Sequence, residues 1–441
     1  MTTLTNGSPR KVAILGGNRI PFARSNKEYA SASNQDMLTA AIDGLVARYG
    51  LQGEELGQVV VGAVLKHARD FNLTREVVMG SALSSTTPAF DLQMACGTGL
   101  ASIVQVADAI AMGRIESGIG GGVDTTSDAP LAVNDELRKT LIKLNNAKTA
   151  GARVKLLGSI RPGQLAPEQP SNGEPRTGLS MGEHAAITAR EFGLTREEQD
   201  ELAATSHQNL AKAYEEGFFE DLVTPFLGVQ RDTNLRPDST VEKLAKLKPV
   251  FGKRDAEQHG TKATMTAGNS TPLTDGASAV LISSADWAKE HNIPVQAYLV
   301  DSEIAAVDFI HGRNGMTPDG LLMSPTYAVP RLLERNGLSL QDFDFYEIHE
   351  AFASQTLATL KAWESAEYCK DRLGLDKPLG SIDRSKLNVK GSSLAAGHPF
   401  AATGGRIIAT AAKVLEQNGG GRTLVSICAA GGQGIVAIIE R

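Results

Sequence analysis

Cysteine is scarce. The 441 residues hold three, Cys96, Cys369 and Cys428, with no CxxC among them. That excludes a disulfide framework and a cysteine-rich zinc module, and it points to a reducing compartment, here expected to be the cytoplasm. Neither sign of charge dominates. With 44 basic and 50 acidic side chains the net charge is −6, which gives no electrostatic reason to expect nucleic acid. Long hydrophobic runs are missing as well. The longest uncharged stretch near the C-terminus, Thr423 to Ile439, has 17 residues. A membrane helix needs about 20, and Gly431, Gly432 and Gly434 interrupt this run, so two strands around a turn describe it better. The opening MTTLTNGSPRKVAILGG lacks a charged segment followed by an apolar one, and the closing AIIER is not a peroxisomal address. GxGxxG is absent after the first strand-like run, and GxxxxGK[ST] is absent throughout.

What is present fits a globular protein of two or three packed units, with 41% apolar and 21% charged residues. Strands are expected at 11–15 (ended by Gly16-Gly17), 58–64, 117–123, 279–283, 343–348, 423–428 and 434–440. Amphipathic or apolar helices are expected at 36–49, from Leu100 onward, and at 404–415. Residues 128–272 are more polar and read as an inserted region, mainly helical and loop. Thr195-Arg196-Glu197-Glu198 is a capping box that opens a helix running to about Glu216, closed by Gly217. Each flanking half carries a glycine-rich elbow before a buried helix, ACGTGLASI in the first and AGHPFAATGGRII in the second. The repeat is one of pattern, and it suggests two similar α/β halves.

Four residues stand out as carriers of chemistry. Cys96 precedes Gly97-Thr98-Gly99 at an expected helix N-terminus, whose free N–H groups and dipole favour a thiolate. An inert buried cysteine is the competing reading. His398 sits in Gly397-His398-Pro399 and could serve as base to a thiol or simply cap a helix. Cys428 ends a strand before Ala429-Ala430-Gly431-Gly432, where α/β folds place ligands and where a turn can form an anion nest, or it is a buried strand-end cysteine. His349 opens HEAFA after a strand. It could donate to an oxyanion or be a surface histidine bonded to Glu350. Cys369, in ESAEYCKDRL, reads as a bystander on a helix. Gly118 to Gly122 suggest close packing within a strand rather than phosphate binding. From Leu137 to Pro167 there are seven basic residues (Arg138, Lys139, Lys143, Lys148, Arg153, Lys155 and Arg161) and no acid. This stretch suits a solvated loop, a nucleotide phosphate, an anionic membrane surface or a partner subunit.

The order of these elements resembles the thiolase family: Cys in a glycine elbow, HEAFA, GHP, then a Cys before a glycine turn. Arg19-Ile20-Pro21-Phe22 is similar to the family's RTPF, Ser180-Met181-Gly182 to its HMG, residues 195–213 to its loop-domain helix, and TAGNSTPLTDGAS (266–278) to its TAGNASxxNDGAA. HEAFA and CAAGGQG look like the branch of the trifunctional-complex β subunit and its bacterial fatty-acid-oxidation relatives. Departures from the pattern are Ala430 for the Gly of CxG, Ala401 for the last Gly of GHPxG, Ser180 for His and Thr271 for Ser. The resemblance implies two α/β halves in a five-layered αβαβα sandwich with an inserted loop domain. The expected boundaries are 1–127 (completed by 273–294), 128–272 and 295–441. It implies CoA-dependent cleavage of 3-ketoacyl-CoA to acetyl-CoA and a shortened acyl-CoA. Cys96 would attack once His398 takes its proton, and His349 and His398 would stabilise an oxyanion. The backbone N–H groups of Cys96 and Ala430 would form a second hole, and Cys428 would act as acid and base. Met181, Ala267, Thr271, Ala351 and Phe352 would contact CoA or substrate. No metal or redox cofactor is expected, since CoA is a substrate. A homodimer or homotetramer is expected, with a hydratase/dehydrogenase α-like subunit as a further candidate partner. The competing readings are a biosynthetic acetoacetyl-CoA thiolase and, outside enzymes, a lipid-binding or scaffold subunit.

Overall fold

Two strands from opposite halves of the chain meet at the middle of a ten-stranded sheet: β1 (Val12–Arg19) pairs antiparallel with β7 (Ala297–Ala306). The computed structural model describes residues 9–313 and 315–441, so residues 1–8, read above as part of a leaderless start, lie outside it. Outward from β1 lie β6 (Thr274–Ser284), β5 (Ser117–Asp124), β3 (Gln58–Val61) and β4 (Ala89–Asp91). Outward from β7 lie β10 (Gln433–Glu440), β9 (Arg422–Ala429) and β8 (Phe345–Ile348). The short β2 (Ala23–Arg24) pairs with β6 off this path. The two sides repeat one pattern. β1–β6–β5 and β7–β10–β9 are antiparallel, then β3 joins β5 and β8 joins β9 in parallel. The expected similarity of the two halves is therefore a repeat of topology.

Alternation along the strands sets up the three largest hydrophobic cores. Val12, Ile14, Val280 and Ile282 face the same cluster as Ile427, Ile435 and Ala437, together with two helices, Thr98–Ala111 and Ala402–Gln417. Their neighbours Ala13, Leu15, Val59 and Leu281 face the other way, onto the Asn34–Tyr49 helix. On the second half Leu424, Val436 and Ile438 face the Pro325–Asn336 helix. Helix, sheet, paired central helices, sheet, helix is the αβαβα order.

The central helices touch backbone to backbone. A Cβ on Gly99 would lie 2.5 Å from the Ala401 carbonyl oxygen, and one on Gly404 would lie 2.2 Å from the Leu100 nitrogen. The glycine-rich β5 serves the same packing, since a Cβ on Gly120 would meet the Ile103 backbone at 2.6 Å. One expectation fails here. Gly16 and Gly17 do not end β1. A bulge between Ile14 and Gly16 shifts the register, and the strand continues to Arg19. Residues 125–273 add no strand to the sheet and are rich in helix, including Arg196–Glu215 behind the Thr195/Glu198 capping box. Among the described residues no helix is long and apolar enough to cross a membrane.

Candidate active site

The two glycine elbows converge. Ala95 adopts φ +45°, a left-handed conformation uncommon for a residue with a Cβ, and turns the chain so that Cys96 stands at the mouth of the first central helix. Thr98 braces this turn: its hydroxyl accepts from the Met94 N–H at 2.8 Å and donates to the Ala95 carbonyl at 2.7 Å. At the second elbow the His398 N–H donates to Thr274 Oγ1 at 2.8 Å, and His398 Nδ1 pairs with Thr403 Oγ1 at 2.6 Å. This leaves His398 Nε2 3.1 Å from Cys96 Sγ. Burial, aided by the Arg406 cation, lowers the His398 pKa to about 3, so its ring is neutral and free to accept a proton.

The expected thiolate at Cys96 is not favoured in the resting site. Burial pushes its thiol up to about 12, outweighing hydrogen bonds from the backbone at Ala430 and at Cys96 itself, which pull the other way. Desolvation overrides the helix terminus. The Cys96–His398 pair is therefore neutral until a proton moves between them.

His349 follows β8 but is not a surface histidine bonded to Glu350. It is fully buried, with its ring centroid 4.2 Å from that of His398. Its Nδ1 lies 2.8 Å from Ser393 Oγ, and its Nε2 has no hydrogen-bond partner among the described residues. Glu350 instead accepts from Ser206, Asn388 and the Leu394 N–H. Cys428 lies near the end of β9, 2% exposed. Burial and the nearby Cys96 hold its thiol well above the usual range. It shares an apolar cluster with Met265, Leu321, Ala351 and Phe352, edged by Met181 and Phe309. Thr271 is half-buried and donates from N and Oγ1 to the Ala351 carbonyl. Ala267 is exposed. Cys369 is buried on its own short helix against the carbonyls of Ala362 and Trp363, as a bystander would be.

Two acids without a local sequence signature brace the site. Asp124, at the end of β5, accepts from the Val64, Leu65 and Ala401 N–H groups and so ties the first half to the second elbow. Burial raises its pKa to about 7. Glu174, from the polar middle stretch, accepts from the Gly431 N–H at 2.6 Å and pins the turn that carries Ala430. Such an arrangement can take a thiol proton, hold an acyl group on sulfur and supply hydrogen bonds to nascent oxyanions.

The comparisons with known proteins bear on family and fold. The family model "Thiolase, N-terminal domain" matches residues 12–286 and "Thiolase, C-terminal domain" matches 303–441. The chain is 40% identical over 436 residues to a 3-ketoacyl-CoA thiolase of Serratia proteamaculans, covering 98% of this chain and 97% of that protein. A Pectobacterium atrosepticum protein of the same name is 39% identical, with 98% and 96% covered. Among solved structures, the Bacillus anthracis acetyl-CoA acetyltransferase superposes with TM-score 0.79 at 27% identity, covering 98% of this chain and 99% of that one. Human mitochondrial 3-ketoacyl-CoA thiolase gives 0.77 at 29%, with the same coverage. Both domain models, the near-complete relatives and the two similar halves of the αβαβα sandwich lead to one conclusion: the chain belongs to the thiolase family.

Proposed function

We propose that the chain is a 3-ketoacyl-CoA thiolase that cleaves its substrate with CoA during fatty-acid β-oxidation. The carrying observation is the 3.1 Å approach of His398 Nε2 to the half-buried Cys96 Sγ, near the buried thiol of Cys428. His398 takes the Cys96 proton and the sulfur attacks the 3-keto carbon. The bond between C2 and C3 then breaks, leaving the shortened acyl group on Cys96. The departing acetyl-CoA enolate takes a proton from Cys428. Cys428 next takes the thiol proton of a second CoA, whose sulfur attacks the acyl carbon, and the Cys96 sulfur leaves and recovers its proton from His398. Two oxygens gain charge on the way. The amides of Cys96 and Ala430 sit at the nucleophilic sulfur and serve the oxygen on the attacked carbon. The His349 and His398 rings serve the thioester oxygen of the enolate. Every step is proton or acyl transfer, so no metal or redox cofactor is required.

The apolar cluster of Met181, Ala351, Phe352 and Phe309 around Cys428 is the proposed path for acyl chain and pantetheine, with Thr271 and Ala267 at its margin. The biosynthetic reading draws on the B. anthracis acetyl-CoA acetyltransferase likeness. Both readings retain the four catalytic groups, which a purely lipid-binding or scaffold subunit would not need. We also place the protein in the cytoplasm and divide it at 1–127 with 273–294, 128–272 and 295–441. A homodimer or homotetramer is supported by β4, the last strand of the sheet on its side, and by the exposed Phe71, Met79 and Phe90 around it. An α-like hydratase/dehydrogenase partner is supported by the exposed helices Asp135–Asn146 and Ala150–Leu157, which mix basic residues with exposed Leu141, Ile142, Val154 and Leu157. Thiolysis of 3-ketoacyl-CoAs of graded length tests the reading. Turnover of medium and long chains is expected, whereas activity confined to acetoacetyl-CoA would favour the biosynthetic alternative.

A further inference from the structure

His349 Nε2 is buried, unpartnered among the described residues, and beside the reactive pair. Whether it donates or accepts depends on which ring nitrogen carries the proton, and its surroundings decide that. Arg406, itself buried, points Nη2 at Ser393 Oγ from 2.9 Å and at Ser392 Oγ from 3.3 Å. A guanidinium only donates. Ser393 therefore accepts from Arg406, and its own hydroxyl hydrogen needs an acceptor. His349 Nδ1, 2.8 Å away, is the one the geometry offers. The opposite tautomer would have Ser393 accept from both sides and strand its hydrogen in a site closed to solvent, a costly arrangement.

We infer that Arg406 and Ser393 are positioning residues that lock His349 in the tautomer with its proton on Nε2, making it an obligate hydrogen-bond donor to the enolate oxygen. The inference rests on the proposed role of His349. Burial, then the neighbouring His398 and Arg406, opposes a positive charge on His349, so the ring stays neutral rather than becoming a general acid. As charge grows on the enolate oxygen, Nε2–H donates to it, Ser393 donates to Nδ1 and Arg406 donates to Ser393. The bonds from Ser393 to Nδ1 and from Arg406 to Ser393 are in place before reaction and need no reorganisation.

The thiolase reaction can be split to test this. Label exchange between free CoA and a saturated acyl-CoA passes through acyl-Cys96 without an enolate. Deuterium uptake at C2 of acetyl-CoA requires the enolate. Ser393→Ala removes a single oxygen. It should slow deuterium uptake and thiolysis at least about tenfold, with KM little changed, while the saturated exchange stays within about twofold. Ser393→Thr, which keeps the hydroxyl, should recover part of the loss. Nitrogen-15 histidine spectra, with His349 assigned through His349→Gln, should show Nε2–H in the wild type and a mixture of tautomers in Ser393→Ala. An Nδ1–H ring in the wild type, or equal loss of both partial reactions in Ser393→Ala, overturns the relay. If His349→Ala itself leaves enolisation intact, the proposed donor role fails instead.

Discussion

His398 Nε2 lies 3.1 Å from Cys96 Sγ, although 302 residues separate the two. Desolvation raises the half-buried Cys96 thiol to about 12, and burial lowers the imidazole to about 3, which favours the neutral pair at pH 7. The pair therefore does not rest as thiolate and imidazolium. In ligand-free protein, Cys96 alkylation by iodoacetamide should keep rising beyond pH 9, measured by peptide mass spectrometry. A plateau below pH 8 would show a preformed ion pair. His398→Ala should cut acylation by 3-ketoacyl-CoA about 10²- to 10⁴-fold, the usual worth of a positioned base.

Cys428 divides the reaction differently. Its thiol is held protonated by burial and by Cys96, which suits a group that first gives a proton to the enolate. Cys428→Ala should still acylate Cys96, slowly, and then turn over poorly, because neither the enolate nor the incoming CoA is served. Intact-mass spectrometry should show the acyl adduct persisting in Cys428→Ala and absent in Cys96→Ser. Normal turnover in Cys428→Ala would remove Cys428 from the mechanism.

The elbows were readable in the sequence because their signals are local: glycines beside Cys96, His398 and Cys428, and helical spacing after two of them. The helix expected from Leu100 begins at Thr98, and the one expected from Gly404 begins at Ala402. What escaped the sequence depends on distant partners. His349 is set between Ser393 at its Nδ1 and the His398 ring, and neither neighbour is signalled by HEAFA. Asp124 and Glu174 are single acids in unremarkable surroundings, and only folding brings them to the amides of Ala401 and Gly431. Desolvation disfavours the thiolate expected at Cys96, and unlike a helix terminus it cannot be seen in sequence.

Gly99 holds the two elbows in register. An added Cβ would meet only backbone, the Ala401 oxygen at 2.5 Å and the Gly405 nitrogen at 3.0 Å, so a central helix must shift. Gly99→Ala should cost about 1–3 kcal/mol in denaturant unfolding, as overpacking does. It should also depress kcat more than KM, since Cys96 and His398 ride on the displaced elbows. Gly151→Ala is the control. It lies in an exposed helix with nothing within 4 Å of the new Cβ, and should stabilise by about 0.5–1 kcal/mol without touching turnover.

The hairpin of residues 135–157 stands outside the cores and buries only Leu137 in its first helix and no residue in its second. Asp135 offsets part of its charge through Arg138 and Lys139, while Lys143, Lys148, Arg153 and Lys155 have no ion-pair partner among the described residues. Reversing these four charges should leave thermal unfolding unchanged and weaken either partner co-purification or the KM for CoA. If both stay at wild-type values, the stretch is a solvated surface.

Glu347 gives stability a pH dependence of known sign. Burial raises its pKa to about 8 against the nearby Arg406, and its Oε2 finds no partner among the described residues. The folded protein thus keeps this carboxyl protonated where the unfolded chain, near 4.5, has released the proton. Its contribution is intact below about pH 4.5 and falls by about 1.4 kcal/mol per pH unit as pH rises toward 8. Glu347→Gln removes the titration and retains the shape. The difference in unfolding free energy between Gln variant and wild type should therefore grow in favour of the variant from pH 5 to 8, measured by denaturant titration. A difference that is flat with pH, or that shrinks, would mean Glu347 is ionised in the fold and paired with Arg406.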